Sequence, residues 1–351
     1  MVWVVTGAAG FVGSHLVHRL VRDGIETVGI DNLNEYYSPA FKRARLADLD
    51  GEAAFRFQEL DLRDLQSTVR LCREVRPEVI VHLAAQPGIR FALDHPAPYV
   101  EDNVVGFLSV LEAARAVEVP HLVYASSSSV YGSTSRLPFS VHNPADHPVS
   151  LYAATKRANE LMAHSYSDLF GIPSTGLRFF TVYGPWGRPD MAYFLFAQAI
   201  LDGRPITVNG DGEALRDLTY VDDIIEGVVR VAMRPPAPDA GWSPADPDPA
   251  TSRAPWRLYN IGHGEKLTVN RLVALLEQLL GRTAVRIRGP EIPGDVPITH
   301  ADVADLEEVI GFRPTWNAED GLAQFVRWLL AYRAGAAPET GEALGAAGTR
   351  G

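Results

Sequence analysis

Cysteine is almost absent from this chain: Cys72 is the only one among 351 residues. An internal disulfide is therefore excluded, as is a thiolate-rich metal centre. The 10 histidines fall at no metal-ligand spacing, so no metal is expected. No apolar run approaches the ~20 residues needed to cross a bilayer. The chain opens directly on the apolar stretch Val2 to Val5, with no basic segment before it, which predicts a cytoplasmic protein. Positive charge is scarce: 32 Lys and Arg stand against 43 Asp and Glu, a formal net charge of −11. That disfavours a nucleic-acid surface. Any anionic ligand must be held by locally placed Arg, Lys or helix N-termini. With 46% hydrophobic and 21% charged residues, the composition is that of an ordinary globular protein, long enough for two domains.

The first structured stretch is Val2 to Thr6, a β-branched run suited to a buried parallel strand. Gly7-Ala-Ala-Gly10-Phe-Val-Gly13 follows, then a helical pattern from Ser14 to Arg22 and a second strand, Thr27 to Ile30, ending at Asp31. Strand, glycine turn, helix, strand and acid within ~30 residues form a dinucleotide-binding arrangement. Gly7 permits the turn, Gly10 lets backbone approach a pyrophosphate, and Gly13 lets the helix pack on the strand. The helix N-terminus offers N–H groups to phosphates. Asp31 is placed to accept from the adenosine ribose hydroxyls, and its charge would repel a 2′-phosphate, so NAD is expected rather than NADP. The expected cofactor contacts are Gly7, Ala9, Gly10, Phe11, Val12, Gly13, Asp31, Asn32, Asp61, Leu62, Leu83, Ala84, Ala85, Gln86, Asn103, Tyr152, Lys156 and Phe180. For Asp61 and Asn103 the competing reading is a strand-end cap or a bond to a neighbouring loop.

Strands read at Phe55 to Leu60, Val79 to Leu83, Leu122 to Ala125 and up to Arg178 alternate with helices around Asp64 to Val75, Tyr99 to Ala116 and the stretch after Ser150. The alternation predicts an α/β fold, a Rossmann-type doubly wound parallel sheet, with ligands at the C-terminal strand ends. After Arg178 the periodicity loosens into a smaller C-terminal α/β domain. The expected division is a cofactor domain over 1–180 and a substrate domain over 181–333. A Pro- and Asp-rich insertion at 235–255 and a tail at 334–351 are expected to be disordered.

The chemistry centres on Tyr152 and Lys156. Ser150-Leu-Tyr-Ala-Ala-Thr-Lys156-Arg-Ala-Asn-Glu160 reads as a helix with Ser150 as N-cap. Residues four apart share a helix face, so a phenol and an ammonium point into one space. The ammonium is expected to lower the phenol's pKa and make Tyr152 a general base or acid. Ser127, at the end of the fifth strand, would hydrogen-bond the reacting oxygen. The glycine turn, Ser126-Ser-Ser-Ser129-Val-Tyr-Gly132 and Tyr152-x-x-x-Lys156 resemble the extended short-chain dehydrogenase/reductase family over roughly residues 1 to 333.

Within that family the chain is most similar to the UDP-glucuronate 4-epimerases. The carrying motifs are His82-Leu-Ala-Ala-Gln86-Pro-Gly-Ile-Arg90, the serine run, Leu177-Arg-Phe-Phe-Thr-Val-Tyr-Gly-Pro-Trp-Gly-Arg-Pro-Asp-Met-Ala192 and Gly294-Asp-Val-Pro297. The family often has Ala-Gly-Val-Arg where Pro87-Gly-Ile-Arg90 stands. The resemblance implies catalysis by Ser127, Tyr152 and Lys156 with NAD, and homodimers. Dehydratases resembling this chain carry Asp and Glu at the positions of Ser128 and Ser129, and the decarboxylases carry Glu at that of Ser129. Serine at both offers no extra acid or base at C5 and C6, leaving 4-epimerisation. A uronate oxidised at C4 is a β-keto acid that must be kept from losing CO2. Ser128, Ser129, Thr181 and Arg188 are the candidates for gripping its carboxylate, Arg216 for the UDP diphosphate and Asp295 for the uridine ribose. The alternatives are local backbone bonding for the serines, a loop surface charge for Arg188, and, for the whole chain, a UDP-hexose 4-epimerase, a related sugar dehydratase or a silent NAD-sensing protein on the same fold.

Overall fold

The computed structural model describes residues 1–89, 91–290 and 296–336. Arg90, Asp295 and residues 337–351 lie outside them. In chain order the strands are β1 (Val2–Thr6), β2 (Glu26–Asp31), β3 (Phe55–Glu59), β4 (Val79–His82), β5 (His121–Ser127), β6 (Ser174–Phe179), β7 (Thr181–Tyr183), β8 (Ile206–Asn209), β9 (Leu215–Tyr220), β10 (Trp256–Ile261), β11 (Lys266–Thr268) and β12 (Arg286–Gly289). Seven of them form one sheet in the order β10-β6-β5-β4-β1-β2-β3, with every pairing parallel. The order reverses between β1 and β4, which opens a crevice above their C-terminal ends. β1 and β4 are apolar and almost wholly buried, as strands covered on both faces must be.

The turn after β1 is shaped by contact as much as by backbone freedom. Gly7 has φ +71°, and a Cβ there would stand 2.7 Å from the Ala84 nitrogen. A Cβ on Gly13 would stand 2.0 Å from the Gly7 carbonyl oxygen, so only glycine lets the helix Phe11–Arg22 close on the turn. That helix starts three residues earlier than its apolar pattern indicates, because Gly10 serves as an N-cap without a side chain and leaves the first N–H groups facing the crevice. The helix Leu151–Phe170 begins where expected: Ser150 accepts from the Ala153 N–H, and Gly171 at φ 68° ends it.

The expected single helix from Tyr99 to Ala116 is three segments, Ala97–Val100, a π turn Glu101–Val105 and Gly106–Ala116. The widened turn brings the Asn103 carbonyl to Asn159 Nδ2 at 2.6 Å.

The second half of the chain builds a three-stranded sheet, β11-β9-β7, and a pair, β12-β8. β10 completes the large sheet beside β6, and one apolar core runs from Trp3, Val5 and Leu16 to Phe194, Leu276 and Phe325. The 235–255 stretch is a correction to the expected disorder. It lacks regular structure but is pinned: Asp239 N–H donates to the Ser252 carbonyl at 2.8 Å, Ser252 Oγ meets His164 Nε2 at 2.8 Å, and Ala250, Ser252 and Ala254 are buried. Its aspartates cap their own backbone two residues on, at Gly241 and Ala250. Such turns use the residues that also mark disordered chains. The C-terminal helix Ala318–Ala331 continues in a turn to Ala336, past the expected start of the tail.

Candidate active site

The crevice collects residues from β1, β2, β4 and β5. Asp31 ends β2 and turns back: its Oδ2 accepts from the Ala9 N–H at 3.1 Å and its Oδ1 from the Leu33 N–H at 2.9 Å. It thereby fastens the glycine turn and has carboxylate lone pairs left over. Phe11, Val12 and Gly13 open the helix beside it. A dinucleotide fits this cradle, since the N–H groups at Gly10 to Gly13 stand at a helix N-terminus and Asp31 stands at the adjacent strand end. Asn32 Nδ2 reaches Asp61 at 3.4 Å. Asp61 is held below the usual carboxylate range chiefly by Arg63, at 2.6 Å.

Three expected cofactor contacts have side chains that are engaged within the protein. Asn103 is fully occupied as a staple: its Oδ1 accepts from Gln86 N–H at 2.7 Å, and its Nδ2 donates to the Gln86 carbonyl and to Thr155 Oγ1. It shapes the Leu83–Gln86 strand end, in which Leu83 and Ala84 N–H groups bond Thr6. Gln86 itself is buried there, beside half-buried Ala85. Leu62 packs into the core with Val28, Ile80 and Phe107. Phe180 packs with Val130, Tyr131, Phe139 and Ala301. Each of the three neighbours a strand end and has a buried side chain.

Ser127 ends β5, and its Oγ accepts from the Ser129 N–H at 3.2 Å and donates to Ser129 Oγ at 3.1 Å. Ser128 and Ser129 form the following turn and are half-buried. Tyr152 faces this turn. Burial raises its pKa, while Arg188 and a hydrogen bond with Ser127 pull it back down. The Lys156 ammonium donates to the Ala125 carbonyl at 2.8 Å, and the Arg188 guanidinium also acts on the phenol. Burial pulls the Lys156 ammonium down to about 8 against the opposing charge of Glu160.

Arg188 lies in the loop between β7 and the helix Ala192–Leu201. Its Nε and Nη2 grip Asp190 at 3.0 and 2.7 Å. Burial alone would weaken its charge, but Asp190 more than offsets this and raises its pKa. Thr181 opens β7 and is half-buried. The loop is fastened to the cofactor half. His15 Nε2 meets the Pro185 carbonyl at 2.9 Å, and burial pulls this imidazole down to about 4, leaving it neutral. Buried Arg45 donates to the carbonyls of Ala9, Trp186 and Gly187. Tyr36 donates to Asp190 at 3.0 Å. Sequence reading missed Tyr36, Arg45 and Asp190. Only the Arg188-Pro-Asp190 spacing of opposite charges gave a signal, since the other contacts join positions 141 and 154 residues apart. Arg216, on β9, donates to the Leu215 and Pro297 carbonyls. Its expected neighbour Asp295 is outside the described residues. Among the described residues no group of His, Cys, Asp and Glu could hold a metal.

Residues 3–241 match the model of the NAD dependent epimerase/dehydratase family. The chain belongs to this family. Among its relatives, the protein CapI of Staphylococcus aureus is 46% identical over 94% of this chain and 98% of its own length. A probable UDP-glucuronate 4-epimerase of Rhizobium meliloti is 44% identical over 93% of this chain and 96% of its own. The crystal structure of UDP-glucuronic acid 4-epimerase from Bacillus cereus, in complex with UDP-glucuronic acid and NAD, superposes with a TM-score of 0.83 at 31% identity, covering 94% of this chain and 99% of that one. As an epimerase/dehydratase family member the chain has the family's seven-stranded parallel sheet, and no described helix is long and apolar enough to cross a membrane.

Proposed function

We propose that this chain is an NAD-dependent UDP-glucuronate 4-epimerase that interconverts UDP-glucuronate and UDP-galacturonate without decarboxylation. The observation that carries the reading is the side-chain set around Tyr152: Ser127, Ser128 and Ser129 on one side, with no carboxylate among them, and Arg188 close enough to act on the phenol. Bound NAD supplies a reversible hydride acceptor at C4 of the sugar. The chain's own residues do the rest. Tyr152 takes the proton of the C4 hydroxyl and returns it, and Ser127 holds the oxygen. Lys156 fixes Ala125 at the strand end and, with a pKa of about 8, supplies positive charge below that pH. Between the two proton transfers the 4-keto sugar turns over. Arg188, Thr181, Ser128 and Ser129 hold the carboxylate out of the perpendicular geometry in which a β-keto acid sheds CO2. Paired bonds from an arginine suit this task. Arg216 and Asp295 serve the UDP moiety in the same reading.

The reading extends to a cytoplasmic homodimer. Val100, Val105, Leu161 and Leu169 are exposed on the helical segments Ala97–Ala116 and Leu151–Phe170, an apolar face of the kind two copies bury together. The deciding experiment incubates purified protein with UDP-glucuronate, without added cofactor, and follows products by NMR and mass spectrometry. A same-mass product with an axial 4-hydroxyl is expected, and a UDP-pentose formed with CO2 would overturn the reading.

A further inference from the structure

An arginine carries five N–H donors in a planar fork, with a side edge (Nε and one Nη) and an end edge (both Nη) that can each grip a carboxylate. Asp190 takes the side edge of Arg188. Among the described residues nothing bonds Arg188 Nη1, so the end edge stays open. Asp190 is fixed in turn by the Tyr36 hydroxyl on Oδ2. Tyr36 is not mobile: its backbone N–H bonds Asn34 Oδ1 at 3.3 Å, Lys42 Nζ bonds the Asn34 carbonyl at 2.6 Å, and Phe91 stands edge-on to its ring at 5.1 Å. The loop that carries Tyr36 is the one that leaves β2 at Asp31. A chain of bonds thus runs from the cofactor-binding strand end to the open edge of Arg188.

We propose that Asp190, fixed by Tyr36, is a positioning residue that holds the side edge of Arg188 and aims its end edge at the C6 carboxylate of the substrate. The inference deepens the reading of Arg188 and rests on it. A guanidinium held on one edge cannot swing, so the second carboxylate meets donors of fixed direction. It also makes the pair neutral, so the grip selects by geometry and not by surplus positive charge. With Asp190 removed, the guanidinium rotates, the carboxylate samples the perpendicular orientation, and the 4-keto sugar loses CO2.

The test uses the NAD-loaded protein and four variants: Arg188→Ala, Asp190→Asn, Tyr36→Phe and the double variant of the first two. Steady-state kinetics with UDP-glucuronate, the fraction of UDP-pentose formed, and calorimetric binding of UDP are measured for each. Asp190→Asn is expected to raise KM about 10-fold and the pentose fraction several-fold, with UDP affinity within about two-fold. Tyr36→Phe, which loses only a hydroxyl and keeps the fold, is expected to move both in the same direction by about three-fold. In the Arg188→Ala background, Asp190→Asn is expected to add less than about two-fold, because Asp190 acts through Arg188. If Arg188→Ala raises KM while Asp190→Asn and Tyr36→Phe stay at wild type, or if the double variant is fully additive, the positioning role is overturned and the role of Arg188 stands. If Arg188→Ala itself changes neither KM nor the by-product, the reading of Arg188 falls and takes this inference with it.

Discussion

Two carboxylate–guanidinium pairs lie within reach of the serine turn, and they differ in exposure. Glu160 and Arg178 are both fully buried, joined by two bonds of 2.8 and 2.9 Å. Ser126 adds a 2.5 Å bond to one oxygen of Glu160 and Arg157 a 2.8 Å bond to the other, while the Tyr131 ring covers the guanidinium at 4.7 Å. Asp190 and Arg188 have the same chemistry, yet about a fifth of each side chain remains exposed and one edge of the fork has no partner among the described residues. A pair surrounded on every carboxylate oxygen serves as scaffold, here joining β5, β6 and the Tyr152 helix. The second pair stays partly exposed. Neither charge pairing nor an unfilled edge therefore marks a binding site, since Arg178 Nη1 also lacks a partner; exposure is what separates the two pairs.

The sharpest way to break this contrast is Glu160→Ala, which leaves Arg178 charged and buried. A loss of ~3–5 kcal/mol is expected in urea unfolding. A loss below ~1 kcal/mol would mean the pair is no scaffold. Arg188→Ala should behave in the opposite sense, costing under ~1 kcal/mol in the same unfolding experiment while impairing uronate turnover. Because Arg188 pulls the Tyr152 phenol down against burial, its removal lets that phenol titrate at higher pH. The kinetic limb that follows Tyr152 should shift upward in pH–rate profiles of Arg188→Ala, and an unchanged limb would separate the two residues. The smallest effect belongs to an exposed pair. His142 bridges Asp248 at 2.9 Å and Asp305 at 2.7 Å. Burial acts to lower its pKa, but the two carboxylates prevail and raise it above 6.5. Its contribution is then complete below that value and lost as pH rises through the raised one. The Tm difference between wild type and His142→Gln should be measurable near pH 6 and absent near pH 9; a difference independent of pH would assign it to packing.

What could be read from the sequence was local. The glycine turn, Asp31 and the N-cap at Ser150 are set by neighbours within a few residues, and the structure has them at or near the expected positions. The Tyr152–Lys156 spacing puts both residues on one helix, while the bond from the ammonium to the Ala125 carbonyl depends on where β5 runs. The π turn depends on Asn159, some 50 residues later, and no local pattern announces it. The order of 235–255 escaped for a related reason: its turns use side chains typical of flexible segments, and the helix that pins it is distant in sequence. The Tyr36–Asp190 and Arg45–Trp186 bonds cross between halves of the chain, beyond the reach of any periodicity.

β10 has a consequence for how this protein is made. The sheet that carries the crevice gains its last strand from residues 256–261, after most of the chain has left the ribosome. Until then β6 presents an unpaired edge, the surface on which strands of different molecules add to one another. A fragment ending at the apparent boundary near residue 180 would keep that edge for good. Chaperone dependence and inclusion bodies are the costs to expect from such a truncation, and a piece to express must extend past β10.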